Sequence, residues 1–423
     1  MLSILILALY LVLPITLLTS HSLPSGVFYT LLATSLALLW KKRFAGTWTQ
    51  TQKYRLLISS YGFLFLVISV SSLYHGQWAG ANSEGALRFI LGLWLLLLTL
   101  PHVRKQHMRN AIWGVYVGGL ISTAIVVGLT ISTGARPETP SIIIVSYSSI
   151  MLLLCAITVY SLKWSLTAHT KLESIVKILV AIVIFAGFLV AQTRTGLLGL
   201  PIFVLLSLVL FVGLTKPGRI LSMLSIAGIL AVVVVINTDT LRHRIFEGIH
   251  EVQTCRGDNS RDFSSMCIRL QMWRTAIDGG LSHPWLGLGS GGVFNQYMKD
   301  VGVPKGLVAQ AVVDDPFGEP HNDLLLVFFG FGFPGVLGLL LIYIAPCTYL
   351  LPRLLNKDSP DGEKAAAAMG LAVCLGFLFF GLTETMFRRM NTIGFYTAMV
   401  ALFMVLSEPR PPRQDKPAPL SLP

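Results

Sequence analysis

Charged residues are scarce in this sequence. Asp, Glu, Lys and Arg make up 12% of the 423 residues, whereas 54% of the residues are apolar. Soluble domains carry about twice that share of charge, so the composition excludes a soluble fold with a core of its own. The sequence also lacks a Walker phosphate loop, a dinucleotide fingerprint after a strand and a nucleophile elbow. Nucleotide-dependent and serine hydrolase chemistry therefore have no support in the sequence.

Long apolar runs fill most of the chain instead. Each run is about 20 residues long, the length that an α-helix needs to cross about 30 Å of hydrocarbon. The runs predict an all-α polytopic membrane protein with about twelve transmembrane helices. The first run has no basic residue before it and no small-residue cleavage site after it, so we expect it to be retained. The spans are expected at residues 2–20, 24–40, 55–74, 85–101, 111–133, 141–162, 172–191, 196–214, 219–237, 323–351, 365–386 and 391–407.

Lys and Arg are distributed unevenly between alternate loops. Eighteen of them lie in the loops and tail on one side, whereas the short loops on the other side hold only Arg136, Arg194, Arg388 and Arg389. Because basic residues stay on the cytoplasmic side, this bias predicts that both termini are cytoplasmic. The net charge of +12 then reflects topology, and no nucleic-acid partner is needed.

The chain is expected to have four parts. Residues 1–237 hold transmembrane helices 1–9, residues 238–322 form a periplasmic loop, residues 323–407 hold helices 10–12, and residues 408–423 form a disordered cytoplasmic tail. In the loop, helical periodicity over residues 241–252 predicts an amphipathic helix on the membrane surface. A second helix is expected to begin near Ser264 or Ser265 and to end at Gly279–Gly280. The glycine-rich stretch 282–292 predicts a turn whose backbone approaches a ligand closely.

The five cysteines fall into two groups. Cys155, Cys347 and Cys374 lie in apolar spans and are interpreted as packing residues. Cys255 and Cys267 share the outer loop, where they either form a disulfide or remain free thiols. We expect the disulfide, because exposed pairs in an oxidising periplasm become oxidised.

His321 opens the tenth span, where the outer loop meets the membrane. A neutral imidazole accepts a proton from a hydroxyl group at ambient pH, so His321 is the candidate general base. Asn322 and Asp323 follow it and are expected to orient the ring. The alternative is a histidine that merely lies at the membrane interface.

Arginines gather on the same outer face. A guanidinium group donates hydrogen bonds in pairs and stays charged when partly dehydrated, which makes it the natural partner of pyrophosphate. The candidate pyrophosphate ligands are Arg88, Arg136, Arg194 and Arg269. In the alternative interpretation, the Arg88 side chain extends so that its charged group reaches the membrane interface. Arg388 and Arg389 then anchor the protein at that interface. Glu384 has either a catalytic role or a structural ion pair with Arg388.

Carboxylates near His321 raise the question of a metal site. The set comprises Asp314, Asp315, Glu319, His321 and Asp323. None of these spacings matches a zinc or two-metal motif. We therefore expect no metal and no other cofactor.

Four sequence motifs, in this order, resemble the bacterial O-antigen ligase/polymerase superfamily. They are Gln-Thr-Arg-Thr-Gly-Leu-Leu (192–198), Cys-Ile-Arg-Leu-Gln-Met-Trp (267–273), His-Pro-Trp-Leu-Gly-Leu-Gly-Ser-Gly (283–291) and His-Asn-Asp-Leu-Leu (321–325). The resemblance covers the topology of the whole chain and is strongest over residues 190–340.

The resemblance implies a GT-C-like glycosyltransferase of the Gram-negative inner membrane. It implies that a glycan moves from undecaprenyl pyrophosphate to the lipid A–core oligosaccharide by metal-independent inverting transfer at the periplasmic face. His321 is then the base, Arg194 and Arg269 hold pyrophosphate, and Arg136 matches a further family arginine. Asn322, Asp323, Glu384 and Arg388 are expected to support the site, and membrane lipids surround it.

Two alternatives remain open at this point. A polymerase of the same superfamily uses the same donor but another lipid-linked repeat unit as the acceptor. The expected topology, twelve spans with both termini in the cytoplasm, is also compatible with a secondary transporter. However, the halves of this chain do not resemble each other, and its ionisable residues gather at one face.

Overall fold

The computed structural model describes residues 1–77, 80–134, 138–193, 195–213, 264–314 and 318–409, with isolated positions between 218 and 255. All the regular elements within these residues are helices, as the sequence predicts. The first ten are α1 (Leu2–Thr19), α2 (Leu23–Lys41), α3 (Thr47–Lys53), α4 (Arg55–Tyr74), α5 (Ala81–Thr99), α6 (Lys105–Arg109), α7 (Ile112–Thr133), α8 (Ile144–Tyr160), α9 (Thr170–Val190) and α10 (Leu200–Phe211). The later ones are α11 (Ser265–Ser282), α12 (Val293–Tyr297), α13 (Gln310–Asp314), α14 (Asp323–Leu355), α15 (Asp361–Gly381) and α16 (Met390–Leu406).

The helices agree with the predicted spans wherever the structure describes them. Nine described helical segments are long and apolar enough to cross a membrane, and two shorter apolar ones cover Thr195–Phe211 and Met390–Leu406. Most of the ninth predicted span, 219–237, lies outside the described residues, as does most of the predicted amphipathic helix 241–252. The chain is a multi-pass membrane protein.

Helices α8, α15 and α16 form the centre of the bundle and are buried on nearly all sides. Helices that are apolar around their whole circumference belong in such a position. Small residues let helices approach closely in a membrane. On α7, a Cβ at Gly114 would lie 2.0 Å from the carbonyl oxygen of Leu11 on α1. The glycine therefore permits backbone contact between these two helices.

A kink divides α14 and joins it to the glycine-rich loop. Gly332 is non-helical, with φ 65° and ψ −163°, and Pro334 follows it, so the helical hydrogen bonds are interrupted here. The carbonyls of Phe329 and Gly330 instead accept hydrogen bonds from the backbone N–H groups of Leu288 and Gly289, at 2.9 and 3.0 Å. The loop is thus paired with the broken helix through main-chain atoms.

The upper end of the bundle, defined as the end that holds residues 71–77, 282–292, 318–323 and 382–391, is tied together by side-chain bonds. Ser71 Oγ donates to the carbonyl of Leu286 at 2.8 Å, and Asn391 Nδ2 donates to the carbonyl of His21. Both bonds link segments that are distant in the sequence.

The opposite, lower end carries basic residues and holds Glu408. Lys53 Nζ lies 2.9 Å from the carboxylate of Glu408, and Lys105 Nζ donates to its carbonyl at 2.8 Å. Glu408 is therefore anchored, although the sequence assigns it to the disordered tail. Residues 410–423 lie outside the described residues.

Helix α11 begins where the sequence predicts and ends later. Ser264 caps it by accepting a hydrogen bond from the backbone N–H of Cys267 at 3.2 Å, and Cys267 forms a disulfide with Cys255. The predicted end at Gly279–Gly280 is wrong, because the helix continues to Ser282. Those two glycines pack directly against phenylalanine rings of α14, so they serve close packing and not helix termination.

Candidate active site

His321 lies at the upper end, immediately before α14. The next residue, Asn322, caps that helix, since its Oδ1 accepts a hydrogen bond from the backbone N–H of Leu325 at 3.0 Å. His321 has a φ of +49°, a left-handed conformation that costs a non-glycine residue of order 1 kcal/mol. Such strain persists where the surroundings impose it, and it concentrates at functional sites.

A buried carboxylate lies next to the imidazole. Glu384, between α15 and α16, is 0% exposed, and its Oε2 is 3.6 Å from Nδ1 of His321. This distance exceeds a hydrogen bond, but catalytic pairs often tighten only when substrate binds. Among the described residues, no hydrogen bond reaches either carboxylate oxygen of Glu384. A buried carboxylate is costly unless positive charge or donors compensate it, so Glu384 favours a cationic neighbour.

Asn322 and Asp323 hold the segment that carries this glutamate. Asn322 Nδ2 donates to the carbonyl of Leu382 at 2.7 Å. Asp323 is buried and accepts hydrogen bonds from the backbone N–H groups of Met386 and Phe387, both at 3.1 Å. The sequence predicts that these two side chains orient the imidazole. In the structure, these hydrogen bonds position the segment that carries Glu384.

Helix α11 presents an arginine and a tryptophan to the same place. Arg269 and Trp273 are four residues apart and therefore share a helix face. Trp273 Nε1 donates to the carbonyl of Pro320 at 2.8 Å, directly before His321. Burial lowers the pKa of Arg269, and the charge of Glu384 opposes that shift. Because a guanidinium stays protonated when partly buried, Arg269 brings a fixed positive charge to the His321–Glu384 pair.

Arg388 pairs with a different carboxylate from the one that the sequence suggests. Its Nη1 lies 2.6 Å from Oε2 of Glu319. The structural alternative, an ion pair between Arg388 and Glu384, is therefore wrong. Glu384 remains beside His321, and its charge interacts with that of Arg269.

Three groups in this region have the spacing of metal ligands. Glu319, His321 and Glu384 each place one ligand atom within 4.8 Å of the others. Of the carboxylates that the sequence suggests, only Glu319 belongs to this cluster. Asp323 is bound to the backbone of the 382–387 segment, Asp314 ends α13, and Asp315 lies outside the described residues. The cluster has the donor set for either a divalent cation or a proton transfer.

Residues 179–340 match a family model described as O-antigen ligase. This matched segment, less than half of the chain, is similar to the O-antigen ligase family. No curated protein matched the chain. Members of this family are glycosyltransferase-like membrane enzymes. The matched residues contain Arg269 and His321, whereas Glu384 lies 44 residues beyond their end.

The other arginines that the sequence selects for the O-antigen ligase family site fall into two groups. Arg136 and Arg194 lie outside the described residues. Arg88 is buried on α5, where Nη2 donates to Glu84 at 2.7 Å and Nη1 donates to Ser25 and to the carbonyl of Met390, both at 3.0 Å. These bonds join α2, α5 and α16, which favours a structural role for Arg88.

The glycine-rich turn divides into a packed half and an open half. A Cβ at Gly287 would lie 2.2 Å from the backbone of Gly330, and one at Gly289 would lie 2.8 Å from the side chain of Gln77. At Gly291 and Gly292 no atom of the described residues lies within 4 Å of such a Cβ. At Gly287 and Gly289, the backbone therefore approaches other parts of the protein closely, and not a ligand. Only the last two leave open space for a ligand.

Sequence reasoning missed the contribution of the end of α4. His75 Nε2 lies 3.2 Å from the carbonyl of Gly287, and Gln77 Oε1 accepts from the backbone N–H of Ser290 at 2.8 Å. These residues are separated from the loop by more than 200 positions, and neither stands in a recognisable motif. A polar cluster directly after an apolar span is the one signal that the sequence offers.

Replacing Asp323 with asparagine is expected to reduce kcat about tenfold with little change in KM, because a small displacement of a catalytic group is costly. Asparagine offers one acceptor oxygen where Asp323 accepts two backbone bonds, so the Glu384 segment shifts. Steady-state kinetics of purified protein measure the effect. The matched control is Tyr343→Phe, which removes only the 3.3 Å bond to Asp323 and should keep kcat near the wild-type value. An unchanged kcat in Asp323→Asn contradicts this positioning role.

Proposed function

We propose that this protein is an O-antigen ligase. It transfers polysaccharide from undecaprenyl pyrophosphate to a sugar hydroxyl of lipid A–core oligosaccharide. The reaction takes place in the periplasmic leaflet of the Gram-negative inner membrane, and both termini are cytoplasmic. The observation that carries the proposal is the pairing of His321 with the buried Glu384 at one end of the helical bundle, where the charges of Glu384 and Arg269 interact.

His321 acts as the general base. A sugar hydroxyl is a poor nucleophile until its proton is removed during attack. As the acceptor oxygen bonds to the anomeric carbon of the donor, its proton passes to the imidazole. The imidazolium that forms is stabilised by the carboxylate of Glu384, 3.6 Å away. The fully buried position of Glu384 strengthens this interaction, since water does not screen it.

Arginines stabilise the leaving group. The bond between the anomeric carbon and the pyrophosphate oxygen breaks as the new glycosidic bond forms, and the electron pair stays on pyrophosphate. Arg269 lies near the base, and the sequence adds Arg194, with Arg136 and Arg88 as further candidates. A preorganised guanidinium group in a partly dehydrated site is worth about 3 kcal/mol to such a transition state. Attack from the side opposite to the leaving group inverts the anomeric carbon.

Transfer is expected to be unaffected by EDTA. Arg388 already compensates the charge of Glu319 in the three-residue cluster, at 2.6 Å, and the arginines supply the positive charge that a metal ion would otherwise bring. The measurement compares transfer rates before and after dialysis against EDTA. Strong inhibition that Mg²⁺ or Mn²⁺ reverses would show that Glu319, His321 and Glu384 hold a required cation.

The reaction products test the proposed function directly. Purified protein is supplied with undecaprenyl-pyrophosphate-linked glycan and, in separate reactions, with lipid A–core or with additional donor. A ligase makes glycan-capped lipid A–core. Elongated lipid-linked glycan would identify a polymerase, and no product in either reaction would refute glycosyl transfer.

A further inference from the structure

An open cleft lies beside the site, between the end of α4 and the open half of the glycine-rich loop. Its volume is about 580 Å³, within the roughly 300–1,000 Å³ range of small-molecule sites. The lining residues include Gln77 on one wall and Ser290, Gly291, Gly292 and Gln296 on the other. None of the described residues that line it carries a charge.

The two glutamines offer unused hydrogen-bonding groups to the cleft. Gln77 uses its Oε1 to accept from Ser290 at 2.8 Å, and Gln296 uses its Nε2 to donate to Asp300 at 2.6 Å. Among the described residues, the Nε2 of Gln77 and the Oε1 of Gln296 have no hydrogen-bond partner. The cleft is thus lined by one residue with an amide donor and one with an amide acceptor that no described residue uses. Paired donors and acceptors without charge suit the hydroxyl groups of a neutral sugar, and not a phosphate.

A second cavity borders the cleft on the side of the candidate active site. Its volume is about 270 Å³, it shares Ser290, Gly291 and Gly292 with the cleft, and its walls include Asp323 and Arg388. Those two residues belong to the same network as His321, because Asp323 positions the Glu384 segment and Arg388 pairs with Glu319. A sugar held in the cleft therefore lies next to a cavity that this network lines.

We propose that the cleft between Gln77 and Gln296 is a carbohydrate subsite, which binds a neutral sugar residue of a glycolipid substrate. The proposal rests on the proposed function, because it takes that substrate class from it. The donor and the acceptor both carry sugars, so the same chemistry has two sources. No arginine is among the described residues that line the cleft, and its role is to bind glycan and not to stabilise pyrophosphate.

The test fills the cleft with a bulky side chain. Gln296 is exposed, so Gln296→Trp occupies the cleft with little risk to folding. We expect KM for one glycolipid to rise about tenfold, the equivalent of losing one or two hydrogen bonds, while kcat stays near the wild-type value. Titrating the lipid-linked donor and lipid A–core separately shows which of the two glycans the cleft binds. The matched control, Lys299→Trp, adds the same side chain at an exposed position outside the cleft and should leave both KM values unchanged.

A binding measurement separates this proposal from the proposed function. Saturation-transfer NMR is recorded with lipid-free core oligosaccharide and with lipid-free repeat-unit oligosaccharide. Wild-type protein should show contact with one of them, and Gln296→Trp should lose it, whether or not the protein transfers glycan. If Gln296→Trp keeps wild-type KM values and wild-type NMR contacts, the subsite is refuted and glycosyl transfer stands. A fall in kcat alone, with both KM values unchanged, also refutes it.

Discussion

Replacing His321 with alanine is expected to abolish measurable glycan transfer. A general base contributes about 10²–10⁴-fold to the rate, and within the described residues no other imidazole lies beside Glu384. Single-turnover transfer by purified protein measures the loss. Size-exclusion chromatography and retention of the Cys255–Cys267 disulfide report whether the variant folds.

The control for this variant is His283→Ala. His283 is exposed and belongs to the same outer segment, with its Nδ1 3.0 Å from Ser282 Oγ, so its loss should leave transfer unchanged. If Glu384 acts only through the imidazole, the double variant His321→Ala/Glu384→Gln should be no slower than His321→Ala alone. Near-wild-type transfer by a folded His321→Ala protein would remove the residue from the mechanism.

Replacing Arg269 with alanine is expected to reduce kcat about 10²–10³-fold, the usual cost of removing a donor that stabilises developing negative charge. Arg269→Lys keeps the charge but loses the paired N–H groups, so it should recover only part of the rate. Inhibition by inorganic pyrophosphate should weaken in parallel, which distinguishes a leaving-group contact from a structural one. The same loss is expected for Arg194→Ala on the strength of the sequence.

Arg274→Ala provides a matched control on the same helix. Within the described residues, Arg274 Nη2 donates a 3.5 Å hydrogen bond to the carbonyl of Cys255. No described contact joins Arg274 to His321 or Glu384. Its removal should leave both the rate and the pyrophosphate inhibition unchanged. Equal losses in Arg269→Ala and Arg274→Ala would indicate that α11 is merely destabilised.

The sequence predicts the membrane fold well because a membrane helix is specified locally. An apolar run of sufficient length satisfies its own backbone within the bilayer and needs no distant partner. The kink near Pro334 and the start of α11 at Ser265 follow from residues within a few positions. The late end of α11 does not, because Gly279 and Gly280 are explained only by rings on α14.

The site is less predictable because its contacts join residues far apart in the chain. Sequence position suggests Arg388 as the partner of Glu384, one helical turn away, but the segment between α15 and α16 is not helical and Arg388 pairs with Glu319. Asp323 is two residues from His321 in sequence, yet it accepts a hydrogen bond from the backbone of a residue more than 60 positions away. Proximity in sequence identifies which residues carry chemistry, whereas only the packing decides which of them meet.

The pairing between the glycine-rich loop and the broken helix limits how that region can change. Pro284 accepts a hydrogen bond from the backbone N–H of Phe333 at 2.8 Å, and Gly289 donates to the carbonyl of Gly330 at 3.0 Å. These two hydrogen bonds hold the loop segment and the helix segment together at both ends, and they fix the distance between those ends. A residue inserted into the loop between Pro284 and Gly289 must therefore bulge outwards or break one of these hydrogen bonds. Loss of the bond between Gly289 and Gly330 would move Ser290 away from Gln77. Loop length here is therefore set by the main chain, even where the intervening side chains are free to vary.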